Sequence, residues 1–127
     1  MYELLRDAAI GSLSQRPNRL RFRDQFCQVT VGAAPGYPQS PKKNIPLSAD
    51  LTPYSTDQNE PPFFFSGLRS SGKTQWVTSG GRVLGAIGRG TSLSQARESS
   101  LEKLRALSFE GMVYRSDIGI ERSNEGG

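Results

Sequence analysis

Histidine is absent from this chain, and cysteine occurs once, as Cys27. The first absence excludes every arrangement that relies on an imidazole base, Ser-His-Asp and Cys-His alike. One thiol and no imidazole leave no ligand set for a structural zinc. No disulfide can close within the chain, which suits a reducing compartment. Cys27 lies in Phe26-Cys27-Gln28-Val29, a setting that predicts a small buried hydrophobe rather than a nucleophile. Long apolar runs are missing too. Nothing approaches the ~18 residues of a membrane span, and the N-terminus carries no signal-peptide core. The expectation is a cytoplasmic protein with no membrane partner.

Apolar residues make up only 35% of the 127, whereas glycine occurs 14 times and proline 8. A chain of this size buries roughly two-thirds of its unfolded surface, enough for one core. The composition therefore predicts one domain with a thin core, short strands and many turns. The net charge is +4, and twelve of the sixteen basic residues are arginine. Arginine favours forked pairing with phosphate or carboxylate. A mildly basic solvated surface explains the excess as well as an anionic partner does.

Met1 to Leu13 reads as a helix, with Leu4, Leu5, Ala8, Ala9 and Ile10 clustered and Gly11 near its end. So short a helix must pack on something to persist. Phe26 to Val31 alternates as a half-buried strand, and Phe63-Phe64-Phe65 reads as a core strand. From Ala33 to Asn59 five prolines predict a long loop. Lys73 to Thr78 and Arg82 to Ile87 read as two more strands. Ser92 with Gln95 forms a capping box, and Leu93, Ala96, Ser100, Leu104 and Leu107 make a narrow stripe, so a helix is expected over Leu93–Leu107. Phe109 to Ile118 reads as extended. Glu121 to Gly127 has no apolar residue and reads as a disordered tail.

Gly67-Leu68-Arg69-Ser70-Ser71-Gly72-Lys73-Thr74 matches the phosphate-loop pattern G-x-x-x-x-G-K-[ST] letter for letter. That pattern needs a helix starting at its Lys-Thr, so that amides and dipole face the phosphate. Gln75-Trp76-Val77-Thr78 followed by Gly80-Gly81 is a poor helix. A hairpin turn at Ser70-Ser71-Gly72 is the better reading.

Gly80-Gly81-Arg82 is the candidate site. Two glycines allow close backbone approach and free consecutive amides for an anion, and Arg82 adds a planar fork. A tight turn carrying a surface arginine explains the same residues equally well.

Thr78-Ser79-Gly80-Gly81-Arg82-Val83-Leu84-Gly85, then Gly90-Thr91-Ser92-Leu93, Gln95-Ala96, Phe109-Glu110-Gly111-Met112 and Tyr114-Arg115-Ser116-Asp117-Ile118-Gly119 appear in order. With Gly36-Tyr37-Pro38 upstream, these blocks closely resemble the C-terminal domain of phosphoribosylamine–glycine ligases, ATP-grasp enzymes of purine synthesis. The resemblance runs from about residue 2 to 119. It implies an α+β fold: a small antiparallel sheet with one packed helix and an N-terminal helix. It divides the chain into 1–15, a helix left over from the preceding ATP-grasp domain, 16–119, the C-terminal domain, and 120–127, the tail.

In that family, ATP and magnesium support the joining of glycine to 5-phosphoribosylamine through glycyl phosphate. The resemblance implies that both cofactors are held by the central and flap domains and none by this chain, which has no catalytic residue and is inactive alone. Its implied partners are the N-terminal and ATP-grasp domains and phosphoribosylamine or glycinamide ribonucleotide. Gly80, Gly81 and Arg82 are the implied contacts to the substrate phosphate, positioning it rather than moving protons. Arg115 and Asp117 read as a structural ion pair, preferred over a substrate role, and Lys42 and Lys43 as solvated loop charges. A free-standing phosphate-binding module is the alternative, marked by the absence of a bare apolar face on the N-terminal helix. Nucleic-acid binding ranks last, because Phe63-Phe64-Phe65 reads as buried.

Overall fold

The computed structural model describes residues 2–15, 22–48, 51, 61–72 and 74–120. The first helix, α1, spans Tyr2–Ala9 and is followed by a 3-10 turn at Leu13–Gln15. Five strands follow: β1 Phe26–Ala33, β2 Phe63–Phe65, β3 Leu68–Ser70, β4 Trp76–Thr78 and β5 Arg82–Gly90. The second helix, α2, is Leu93–Ala106. The expected α+β class with antiparallel pairing holds, in two sheets: β1-β5-β2 with β5 central, and the hairpin β3-β4. Among the described residues no helix is long and apolar enough to cross a membrane.

Helix α2 forms where its cap dictates. Ser92 holds an extended backbone and its side chain accepts from the Gln95 amide at 3.2 Å. The Gln95 side chain reaches back one residue further than a capping box requires, accepting from the Thr91 amide at 3.0 Å and its hydroxyl at 2.8 Å. Ala96, Ser100, Leu101 and Leu104 are buried, with Leu107 beyond them. They cover β5, and Gly88 permits the closest approach: a Cβ there would overlap the Ala96 carbonyl oxygen and stand 2.5 Å from the Ser100 nitrogen. The core gathers Leu84, Ala86 and Phe63 from the sheet with Leu104, Leu107 and Phe109, under Leu47 and Leu51 from the long loop.

Strand β1 departs from expectation. Gln28 and Thr30 are buried while Cys27, Val29 and Val31 face out, so Cys27 is an exposed thiol, not a small core residue. Most of these buried polar atoms find partners, although Gln28 Oε1 has none among the described residues. The Thr30 and Ser100 hydroxyls lie 2.7 Å apart, and the Gln28 amide nitrogen donates to the Ile118 carbonyl at 3.1 Å.

Other elements are shorter or more exposed than the sequence suggested. Only Phe63 of the β2 triplet is buried, because β2 is an edge strand with Phe64 and Phe65 turned towards solvent. Residues 109–118 pair only at two isolated bridges, Leu47 with Phe109 and Ala33 with Val113. Helix α1 ends before Gly11, which adopts φ +74°, and buries none of its residues. The burial expected of it is not found among the described residues. The predicted tail at Glu121–Gly127 and the basic stretch Arg16–Arg21 lie outside the described residues.

Candidate functional site

The phosphate-loop match is a hairpin. Ser70 pairs with Trp76, the Ser71 amide donates to the Gln75 carbonyl at 2.8 Å, and no helix follows Gly72. Its amides therefore serve the turn, and the dipole that phosphate binding requires is absent there.

Gly80 and Gly81 join β4 to β5 and deliver Arg82 to the first position of the central strand. Packing accounts for both glycines. The backbone at Gly67 crosses so close to Gly80 that a Cβ on Gly80 would meet the Gly67 Cα at 3.2 Å. The Tyr37 ring lies on Gly81, where a Cβ would overlap Cδ2 and stand 2.8 Å from Cε2. Tyr37 itself precedes Pro38 through a cis peptide bond, and the Ser40 amide donates to the Gly36 carbonyl at 2.8 Å across that turn. The Gly81 carbonyl accepts from Ala34 at 2.8 Å. Among the described residues neither Gly80 nor Gly81 donates its amide to a partner, and the exposed Arg82 guanidinium makes no ion pair.

The Ala33–Val113 bridge decides what surrounds Arg82. Reciprocal backbone bonds of 2.8 and 2.9 Å hold Val113 beside the end of β1. Tyr114 and Arg115 are thereby set at the same corner as Arg82. A hollow of about 290 Å³ results, floored by Val31, Ala33 and Val113 and rimmed by Tyr37, Arg82, Tyr114 and Arg115. Its surface is chiefly apolar, with Arg82 and Arg115 among the residues that line it.

Arg115 and Asp117 form the anticipated ion pair, Nε to Oδ1 at 3.0 Å and the second nitrogen to Oδ2 at 2.5 Å. The hydrogen bond from Arg115 holds the Asp117 carboxyl below the usual carboxylate range, and the same bond raises the Arg115 guanidinium. Both side chains are more than half exposed, so the pair orients Arg115 more than it stabilises the fold. Arg97 of α2 fixes the segment between them by donating to the Ser116 carbonyl from Nε at 3.1 Å. Sequence reasoning therefore found the pair but missed that Arg115 lines a hollow with Arg82. Only the shared Gly-Tyr-Pro and Tyr-Arg blocks hinted at it.

The donors here suit an anion and not a metal. Among the described residues no three histidine, cysteine or acidic side chains stand close enough to hold a cation. The residues present do not fit magnesium, and no step through it is assigned to them.

Geometry of this kind defines a small α+β domain that presents arginines at one corner of a sheet. Residues 27–121 match the family described as phosphoribosylglycinamide synthetase, C domain, and the chain belongs to that family. Phosphoribosylamine–glycine ligase of Caulobacter vibrioides is 35% identical over 117 residues, covering 91% of this chain and 26% of the relative. A bifunctional purine biosynthetic protein of Dictyostelium discoideum is 34% identical over 105 residues, 83% of this chain and 13% of that protein. The crystal structure of phosphoribosylamine–glycine ligase from Thermotoga maritima superposes with a TM-score of 0.68 at 29% identity, over 91% of this chain and 27% of the other. The chain thus spans about a quarter or less of the length of these relatives.

Proposed function

We propose that this chain is the substrate-side C-terminal domain of a cytoplasmic phosphoribosylamine–glycine ligase, incomplete as a catalyst without the N-terminal and ATP-grasp domains. ATP and magnesium would be held by those domains, where they activate the glycine carboxylate. The observation that carries the reading is the meeting of Arg82 and Arg115 at one hollow in a member of this family. Arg82, with the amides of Gly80 and Gly81, would take the phosphate of phosphoribosylamine or glycinamide ribonucleotide. Its work is charge neutralisation and positioning.

The bare face of α1 favours a domain of a larger enzyme over a free-standing module, since Leu5 and Ala8 are exposed and nothing on the helix is buried. Burial of the phenylalanine triplet no longer argues against nucleic acid, because Phe64 is exposed; family membership is what now sets that reading aside. Calorimetric titration with ribose 5-phosphate and glycinamide ribonucleotide, wild type beside Arg82→Ala, is the test. Binding abolished by the substitution supports the phosphate contact. Equal binding by both proteins removes Arg82 from the site. If the wild type binds neither ligand, the same titration of a full-length ligase carrying this chain decides the role of Arg82.

A further inference from the structure

We infer that Arg115 is a second arginine for the substrate phosphate and that Arg97 of α2 positions it by clamping the Ser116 carbonyl, a proposal resting on the phosphate reading of the arginine-rimmed hollow. Arg115 lines that hollow together with Arg82, whereas Arg97 is not among the residues that line it. Any influence of Arg97 on a ligand there must pass through the chain that joins it to Arg115.

Asp117 engages Nε of Arg115 and one of its terminal nitrogens. A guanidinium carries five N–H donors, so this grip leaves others for an anion. The grip alone is a weak one. The two side chains are 73% and 57% exposed, and a pair so open to water barely offsets the entropy of fixing both. Both also hang from one stretch of backbone, two residues apart, so the pair can swing as a unit unless that backbone is held.

It is held before, behind and between. Before the pair, Val113 is bridged to Ala33 and Tyr114 packs against the core. Behind it, the Ile118 carbonyl accepts from the Gln28 amide nitrogen at 3.1 Å. Between them the Ser116 carbonyl takes two donors from one side chain, Arg97 Nε at 3.1 Å and Nη2 at 2.5 Å. Two charged donors on one oxygen fix direction as well as distance. Arg97 itself stands on a capped helix of 14 residues packed against β5, the most rigid support this domain offers. The outer anchors keep the segment on the sheet. The middle one governs where residues 115 and 117 point, and an arginine already in place loses less rotamer freedom when it binds.

The test is a double-mutant cycle read by calorimetric titration of this chain with ribose 5-phosphate. Arg115→Ala should weaken binding roughly tenfold and Arg97→Ala about fivefold, with Arg97→Lys recovering part of the loss. In the Arg115→Ala background, Arg97→Ala should change the affinity less than about twofold, because nothing is left to position. A further fivefold loss there overturns the proposal, since it does not pass through Arg115. So does wild-type affinity in either single variant. Nitrogen relaxation of the Arg115 Nε–H, measured without ligand, gives an independent readout. Its order parameter should fall by about 0.2 or more in Arg97→Ala while the Val113 amide keeps its wild-type value. Equal order in the two proteins overturns the proposal whatever the titration gives. Binding lost in Arg82→Ala but intact in Arg115→Ala keeps the phosphate contact of Arg82 and removes this proposal. The predicted cycle with Arg82→Ala unaffected does the reverse. If the wild type binds no ligand, the cycle is run in a full-length ligase carrying this chain. There Arg97→Ala should raise KM for phosphoribosylamine and leave kcat unchanged, and an unchanged KM overturns the proposal.

Discussion

Replacing Gly88 with alanine should loosen α2 from the sheet more than any other change of one methyl group. The added Cβ would overlap the Ala96 carbonyl and stand 2.5 Å from the Ser100 nitrogen, both backbone atoms of a well-capped helix. A side chain can rotate away; a helix must move as a body. Restoring ordinary contact requires α2 to retreat by about 1.5 Å, more than the ~1 Å gap that already forfeits up to half of each dispersion contact. Ala96, Ser100, Leu101 and Leu104 all lose packing together. Overpacking costs about 1–3 kcal/mol in ordinary cores, and this geometry belongs at the upper end, ~3 kcal/mol. For a domain of this size that is a fall of roughly 12 °C in Tm. Urea titration followed by circular dichroism and by the fluorescence of Trp76, the single tryptophan, measures it. Gly85→Ala is the control, since its Cβ meets only the rotatable Val29 Cγ1 at 3.0 Å and should cost under ~1 kcal/mol. A Gly88→Ala protein within ~1 kcal/mol of wild type, or a Gly85→Ala protein equally damaged, would refute the reasoning.

Thr30→Val keeps the volume of the side chain but removes the hydroxyl that lies 2.7 Å from Ser100, and should cost about 1–2 kcal/mol in the same urea titration. An unchanged midpoint would mean that the buried hydroxyl pair contributes nothing to the inverted strand. The Asp117 carboxyl should titrate below the ordinary aspartate value by carbon NMR and return towards it in Arg115→Ala. The sign follows from a depressed native pKa: the pair's contribution is full above the unfolded value and is lost as pH falls through the native one. With both groups open to solvent, the shift should shrink in high salt.

What could be read from the sequence was what neighbouring residues decide. Ser92 and Gln95 announced the start of α2, and the spacing from Leu93 to Leu107 located its buried side. The hairpin at 67–78 was legible because β-branched and aromatic residues followed the glycine where a phosphate loop needs helix formers. What could not be read depends on partners far along the chain. Gln28 and Thr30 turn inward because Ser100 and Ile118 meet them there, 70 and more residues away. Gly80 and Gly81 were read only as room for a ligand's approach, whereas Gly67 and Tyr37, distant in the chain, also pack where their side chains would stand. The hollow beside Arg82 exists only because Val113 bridges to Ala33.

The glycines of β5 bring these two kinds of information together. Gly88 and Gly90 lack side chains because α2 sits on them: a Cβ on Gly90 would stand 2.6 Å from that of Gln95, and Gly88 meets the helix backbone. Gly85 also lacks one, yet what it leaves is an open trough between Val31 and Phe64. One strand thus carries glycines on both of its faces, and α2 packs on one of them. The face under α2 is closely packed. The other carries Val29, Val31 and Phe64 around Gly85, with Arg82 at one end. Such exposed apolar surface costs free energy when left in water.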